Sequence, residues 1–552
     1  MRIAVDLHGI QSSGSRSRGI GRYSLEIIKN IIINYPNHDI ILVANATLSD
    51  LKKEFHSYLN NKNVSYIKWF APSPFDFVTG NDRNRKIAKY LKSYAYGSIK
   101  ADIILITSFF EGFADNCLVD FDRDFIKIPI ISIFYDLIPL INKNLYLQNN
   151  PHFKKFYLSK LKQLNELDGL LAISQSSAQE AIKYLSIDTT KVFNISSACN
   201  TKIFNKDIDN TNNINISTDD LSPFILYSGA IDPRKNVKRL IEAFSKLPIQ
   251  LEDYKLVLVG KLLPLEEDIV DQWIHLFNLN SRKVIRTGYL SDYELVELYR
   301  KCELFVFPSL HEGFGLPVLE AMSCGAPVIG ANTTSIPEVI GLQCALFDPE
   351  NVDDMTNLIT KALTSTDFND VLRKNSFLQS KRFSWKKCVR DAIHACESIV
   401  EMHGLKSGPF DWYSLRKDRE EYLNILVKKI RDIYLLNINK ELLLLVSASI
   451  DKITFQVDYL LRELSNQDEN LSWKVEGPFD SSYSLSILNR SFANALKEKI
   501  KDLTIYITEG PGDYIPNIQY IKKYPKTYSL YLDSKEVSLN SDVISRNLYP
   551  PR

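Results

Sequence analysis

Short apolar runs without polar alternation recur along this chain, and they restrict it to one kind of sheet. Leu304-Phe305-Val306-Phe307 shows the pattern most plainly. A strand wetted on one face alternates apolar and polar residues, whereas a strand covered by helices on both faces is apolar throughout. Comparable runs are read at Arg2 to Leu7, Ile40 to Ala44, Asp102 to Thr107, Ile130 to Tyr135, Gly169 to Ile173, Val192 to Ile195, Phe224 to Gly229, Lys255 to Gly260 and Val284 to Leu290. Between them lie stretches of helical periodicity such as Ser24 to Ile32, Gln175 to Tyr184 and Val237 to Phe244. This alternation predicts doubly wound α/β domains. Ligands of such sheets bind beyond the carboxyl ends of the strands, so the residues just after each run are the candidates for function.

The richest of these strand ends follows Phe307. Glu312 and Glu320 stand eight positions apart, with Gly313 and Gly315 between them and Pro317 ahead of an apolar helical run. The spacing predicts a strand–loop–helix junction, with Glu312 in the loop and Glu320 in the first helical turn. Pro317 suits the first helical position, where its missing N–H would have no partner anyway. Free N–H groups at a helix start attract phosphate, and glycines let the backbone approach a ligand. A phosphate seat beside two carboxylates suits a nucleotide sugar. A plain turn, with Glu312 in water and Glu320 set against the helix dipole, has the same spacing, so the two acids alone do not decide. A second strand end leads into Ala230-Ile231-Asp232-Pro233-Arg234-Lys235-Asn236. Arg234 could fork two phosphate oxygens and Lys235 could add a point charge; a basic cap on a surface loop is the plain alternative.

The whole run from Leu310 to Gly341, with Arg234-Lys235 upstream, resembles the signature of the family-4 glycosyltransferases. These are retaining nucleotide-sugar enzymes of the GT-B fold, two Rossmann-like domains facing a cleft. The resemblance implies that Arg234 and Lys235 bind the donor diphosphate and that Glu312 contacts the donor sugar. It also implies that Glu320 binds ribose, and that Gly313, Phe314, Gly315 and Leu316 line the donor site. Gly288 and Tyr289 would line the base pocket. In the amino-terminal half, Arg18-Gly19-Ile20-Gly21-Arg22-Tyr23 resembles the family's first glycine-rich turn, which places Gly19 and Gly21 beside the donor. Arg16, Arg18 and Arg22 are candidates for donor phosphate or an anionic acceptor, with a solvated loop as the alternative. Tyr135-Asp136 stands where many family members have His-Asp, so a histidine-dependent step is in doubt. Asp136, Tyr135, Glu111 and Arg22 are the acceptor-side candidates, and Ser174 reads as a helix cap. Catalysis would rest on Glu312, Asp136, Arg234 and Lys235, with no metal and no cofactor.

Composition removes other classes. A net charge of +1 gives no hint of nucleic acid. The seven cysteines are scattered without a C-x-x-C pair, against a zinc site or a disulfide framework and in keeping with a reducing cytosol. The first strand begins at Arg2, which leaves no room for a leader, and no apolar run has membrane-spanning length. A cytoplasmic protein is expected. Peripheral attachment to a membrane stays open through Lys154, Lys155, Lys160 and Lys162, for which a solvated helix face is the plainer reading. Asp122-Arg123-Asp124 matches a D-x-D metal motif but follows no strand.

The expected domains are an amino-terminal acceptor domain over residues 1–205, closed by a helix at 384–402, and a nucleotide-sugar domain over 206–383. A linker is read at Lys206 to Ser222, where Asn, Asp and Thr accumulate. Residues 403–466 read as a helical spacer. Residues 467–552 resemble the incomplete start of a second glycosyltransferase module, with a strand near Trp473, a helix from Leu485 to Lys499, a strand from Leu503 to Thr508 and Gly510-Pro511-Gly512 after it. A longer, multi-module chain is expected. The resemblance to bacterial surface-polysaccharide mannosyltransferases favours GDP-mannose as donor and an oligosaccharide or lipid-linked glycan as acceptor. UDP-sugars and deoxysugar donors stay open, as does a non-catalytic sugar-binding module of a polysaccharide assembly.

Overall fold

A computed structural model describes residues 1–207, 220–404, 412–434 and 440–465, and, in the carboxyl-terminal part, 472–477, 484–497, 502–507, 517–534 and 543–546. Most of the expected linker, the turn at Gly510 to Gly512 and residues 405–411 and 435–439 of the expected helical spacer lie outside these residues. Residues 1–464 and 465–552 form two separate compact units.

In the first unit, seven parallel strands form one sheet: β1 (Arg2–Asp6), β2 (Asp39–Asn45), β3 (Val64–Trp69), β4 (Ile103–Ile106), β5 (Ile130–Phe134), β6 (Gly169–Ala172) and β7 (Val192–Asn194). Their order is β3-β2-β1-β4-β5-β6-β7. Six more, β8 (Phe224–Ser228), β9 (Lys255–Val259), β10 (Val284–Gly288), β11 (Leu304–Phe307), β12 (Val328–Ala331) and β13 (Leu346–Phe347), form a second parallel sheet in the order β10-β9-β8-β11-β12-β13. Strand order reverses between β1 and β4 in one sheet and between β8 and β11 in the other, and a crevice opens at such a reversal. Every run read as a strand from the sequence is one, within a residue or two. β3 was not anticipated: it is an edge strand whose Tyr66 and Lys68 are half-exposed, so its pattern is broken.

The helices that matter below are α1 (Gly19–Asn34), α2 (Asp82–Ser98), α3 (Pro151–Leu164), α4 (Gln175–Leu185), α5 (Leu316–Ser323), α6 (Trp385–Met402), α7 (Trp412–Tyr434) and α8 (Lys440–Ser465). α1 begins five residues earlier than its apolar pattern, because Gly19 and Gly21 form its first turn. Tyr23, Ile27, Ile28, Ile31 and Ile32 bury one stripe of it against the sheet. α6 starts at Ser384, whose hydroxyl caps the Lys387 N–H. It returns to the first domain: Ile399 packs on β6, and the Trp385 ring meets Tyr23 at 5.2 Å.

The helical spacer expected at 403–466 is instead part of the first domain. Leu426 and Ile430 of α7, and Val446, Ile453, Val457, Leu460 and Leu461 of α8, are buried in one core with Ile87, Leu91 and Tyr94 of α2. Gln456 bonds both the N–H (2.8 Å) and the carbonyl (3.0 Å) of Lys68, which covers the free edge of β3. Lys429 pairs with Asp122 at 2.9 Å and Asp124 at 2.6 Å, so the D-x-D match holds a helix. Lys160, read as part of a solvated face, is buried and paired with Asp120, whereas Lys154, Lys155 and Lys162 are exposed. All seven cysteines are free thiols. Among the described residues no helix is long and apolar enough to cross a membrane.

Among the described residues, the second unit carries three parallel strands, β14 (Ser472–Gly477), β15 (Asp502–Ile507) and β16 (Val543–Arg546), in the order β15-β14-β16, with helices Ser484–Lys497, Ile518–Ile521 and Pro525–Asp533. Val475, Ala493, Leu503, Ile505, Ile507, Ile521 and Leu530 form its core. The strand β16 and the last two helices were not foreseen.

Beneath β1 lies a charge network without solvent access. Asp6 and Lys92, both fully buried, pair at 2.8 Å. Asp6 also accepts from Tyr96 Oη at 3.0 Å and contacts the His8 ring. Burial alone would raise the Asp6 carboxyl; His8 and Lys92 outweigh it and hold the group well below the carboxylate range. Its contribution is therefore present above about pH 4 and fades as the pH falls. Lys92→Met, which leaves that carboxylate only the His8 ring and the Tyr96 hydroxyl as partners, should lose about 3–5 kcal/mol at neutral pH in chemical denaturation, and less in acid.

Candidate functional site

The loops after β8 and β11 meet at the reversal of the second sheet. Asp232 accepts the Arg234 N–H at 3.0 Å and starts a single turn, Pro233–Lys235. The Asn236 side chain donates to the Pro308 and Pro349 carbonyls at 3.1 and 2.7 Å, and the Leu310 N–H donates to the Arg234 carbonyl at 2.8 Å. These bonds lock the basic pair beside Glu312. Lys235 Nζ lies 2.6 Å and Arg234 Nη1 3.0 Å from Glu312 Oε1. Arg234 Nη1 also donates to the His311 carbonyl at 2.6 Å. Glu312 is only 9% exposed. Burial would raise its carboxyl, but the charges of Lys235 and Arg234 outweigh that and hold it below its ordinary value. Its loop is pinned by Thr334, whose hydroxyl accepts the Glu312 N–H at 3.0 Å, and by Ser335, whose hydroxyl lies 3.0 and 2.9 Å from the Glu312 and Phe314 carbonyls.

The first domain touches this loop directly. A Cβ on Gly313 would fall 2.6 Å from the Tyr135 carbonyl and 3.2 Å from Asp136 Oδ2, so only glycine allows the approach. Ser174 caps α4 as expected, and its hydroxyl also donates to the Gly313 carbonyl at 2.7 Å. Asp136 accepts the Ile138 N–H at 3.0 Å. Burial, reinforced by Glu180 and opposed by Arg234 and His311, pushes its carboxyl up to about 6. Asp136 thus both holds its turn and faces the basic cluster.

Other candidates fall in different places. Glu320 sits in the second turn of α5, because the helix begins at Leu316, with Gly315 (φ +99°) as its cap and Pro317 second. Its carboxyl is pushed up to about 7 by burial, with Arg22 opposing and Asp292 reinforcing; Tyr299 Oη lies 3.3 Å away. Arg22, expected on the acceptor side, pairs instead with Asp292 of the second domain at 3.2 Å and bears on Glu320. It stands over the donor half because the first turn of α1 projects it across the cleft. The Tyr135 hydroxyl bonds Ser24 Oγ (3.0 Å) and the Thr107 carbonyl (3.1 Å), and its ring packs on Tyr23; it braces α1 against β4. Glu111 is buried and accepts from Ser15 (2.5 Å) and Ser108 (2.7 Å), fixing the loop ahead of α1.

Gly21 lies under the Ser15 and Arg16 carbonyls, where a Cβ would come within 2.5 Å, whereas Gly19 is exposed and open. Arg16 pairs with Glu54, and Arg18 is exposed at the start of α1. The Phe314 ring is buried on Phe383, so that residue offers a ligand only its backbone. Gly288 and Tyr289 end the edge strand β10, and Tyr289 is 73% exposed. The sequence reading missed His311, Glu180, Ser177, Tyr146 and Asp232 as site residues. Tyr146 Oη donates to the Asp232 carboxylate at 2.8 Å across the cleft, and His311 Nε2 lies 2.7 Å from Glu180. Asp232 and His311 lie within the quoted motifs; Glu180 and Tyr146 carry no local signal.

Residues 209–379 match the family model described as glycosyl transferases group 1. The serotype-specific mannosyltransferase WbdA of Escherichia coli is 37% identical over 410 residues, which is 73% of this chain and 48% of that protein. The O-antigen chain mannosyltransferase B of Escherichia coli is 38% identical over 175 residues, 31% of this chain and 45% of its own. The chain spans about half the length of the curated relatives it matches. Among solved structures, a sucrose-phosphate synthase from Thermosynechococcus elongatus has a TM-score of 0.54 at 18% identity, over 73% of this chain and all of that one. Anabaena HepE, solved with UDP and glucose, has a TM-score of 0.51 at 18% identity, over 72% and 100%. Two parallel sheets with facing reversal points, joined by a returning helix, give the chain the GT-B fold, and within it residues 209–379 carry a glycosyl transferases group 1 domain.

Proposed function

We propose that the chain transfers mannose from GDP-mannose to a saccharide hydroxyl, with retention of anomeric configuration, in building a bacterial surface polysaccharide. The observation that carries this reading is the pair Arg234 and Lys235 held against the buried carboxylate of Glu312, opposite Asp136. Two cations fixed by backbone bonds, beside the start of α5, form a preorganised seat for a diphosphate. Glu312 keeps them in place in an empty site and then supports the positive charge that develops on the donor sugar. The acceptor oxygen bonds to the anomeric carbon as the bond from that carbon to the phosphate oxygen breaks, and the departing diphosphate takes the acceptor proton. Asp136 receives the acceptor hydroxyl. Contact between the Gly313 and Tyr135 loops keeps water from the sugar. In this reading the charge on the leaving group is met by side chains rather than by a metal ion.

The names of the relatives support mannose and an O-antigen type of acceptor. In the second unit β14 lies between β15 and β16 as β1 lies between β2 and β4, which fits the opening of another α/β module.

A panel of nucleotide sugars, scored for release of nucleoside diphosphate with oligosaccharide acceptors, should show turnover with GDP-mannose; absence of turnover removes that donor. Lys235→Ala and Glu312→Ala should each slow transfer by roughly a hundred- to a thousandfold with the fold intact by circular dichroism; near-normal rates undo the site. Glu320 binds the ribose hydroxyls best as a carboxylate, and burial pushes its carboxyl up to about 7. GDP should therefore bind about tenfold more tightly at about pH 8 than at about pH 6, and Glu320→Gln should flatten that dependence in calorimetric titration.

A further inference from the structure

α4 turns one face to the second domain. Ser174, Ser177 and Glu180 follow one another at helical spacing, and each meets the loop His311 to Gly313. Ser174 Oγ and Ser177 Oγ lie 2.7 and 3.0 Å from the Gly313 carbonyl. Glu180 Oε1 lies 2.7 Å from His311 Nε2. The Asn142 amide stands 3.5 Å from His311 Nδ1, which directs the ring proton to Nε2, so the imidazole donates to Glu180. The second Glu180 oxygen accepts the Leu137 N–H at 2.9 Å. One carboxylate therefore ties the backbone next to Asp136 in the first domain to the residue next to Glu312 in the second. Both Glu180 and His311 are only 7% exposed. The His311 carbonyl, in turn, receives Arg234.

A buried polar pair of this kind adds little stability compared with a packed apolar pair. Its distinctive property is that it exists only while the two loops are together. We infer that Glu180 and His311 are a positioning pair, which couples closure of the two domains to alignment of the Arg234–Lys235–Glu312 cluster with Asp136. The inference rests on the reading of that cluster as the donor-diphosphate seat. Neither residue touches the reacting atoms; they act through the backbones of Leu137 and of His311-Glu312.

The test uses the full chain and reads kcat, KM for the donor, GDP affinity, thermal unfolding and the radius of gyration with and without GDP. Glu180→Ala and His311→Ala should each lower kcat about ten- to a hundredfold, weaken GDP binding by no more than about tenfold because closure no longer contributes to it, still unfold in one cooperative transition, and fail to become compact on adding GDP. The double variant should be no worse than the poorer single one, because both substitutions break one contact. Glu180→Gln, whose oxygen still accepts from Leu137 and whose amide can donate to His311 Nε2 once the Asn142 amide turns its oxygen toward a proton on Nδ1, should recover most of the rate. Losses that multiply in the double variant, a loss confined to KM, or closure of Glu180→Ala like that of the parent would each overturn the inference. Failure of the site itself has a separate sign: Lys235→Ala would bind GDP as tightly as the parent.

Discussion

The cluster of Glu312, Arg234 and Lys235 is the interaction on which the rest of the arrangement depends. A carboxylate as buried as Glu312 would be costly alone. Two cations within 3.0 Å offset that cost and keep it ionised. The geometry survives only because each loop is fixed from behind: Asn236 ties the basic turn to the ends of β11 and β13, while Thr334 and Ser335 hold the Glu312 backbone. The cations are thereby oriented before any ligand arrives, which is the condition under which charge stabilisation contributes most.

The first domain is held against this cluster by contacts that are mostly polar. Tyr146 bonds Asp232, Arg22 pairs with Asp292, and Glu338 accepts the Gln175 N–H at the start of α4. Interfaces of this kind open more readily than a hydrophobic core. The apolar anchor lies elsewhere, on α6, where Trp385 packs on Tyr23 and Ile399 on β6. The two halves are thus joined by an apolar anchor at α6 and by polar contacts across the cleft.

The two parallel sheets were readable in the sequence because a strand covered on both faces needs an unbroken apolar run. β3 escaped for the same reason: at the sheet edge Tyr66 and Lys68 reach solvent, and the pattern breaks. Glu312, Arg234, Lys235 and Asp136, which the structure brings together, could be singled out as candidates because each follows a strand end. Glu320 was placed one residue too early in the helix, since α5 starts at Leu316, after Gly315, and not at the proline. Arg22 was left open between the donor and acceptor sides; its pairing with Asp292 across the cleft could not be read from the helix turn, because side-chain direction there depends on the other domain. The role of α7 and α8 was also hidden; an apolar stripe shows that a helix is covered, not what covers it.

Local sequence thus determined the strands, the helix caps and the residue types at the strand ends, because those follow from periodicity and from backbone groups within a few positions. Tertiary structure alone decided that Glu180 reaches His311 across 131 positions, that Asp232 meets Tyr146, and that Gly313 must lack a side chain. Those contacts join segments distant in the chain, and their energies depend on burial and distance, neither of which is encoded in local spacing.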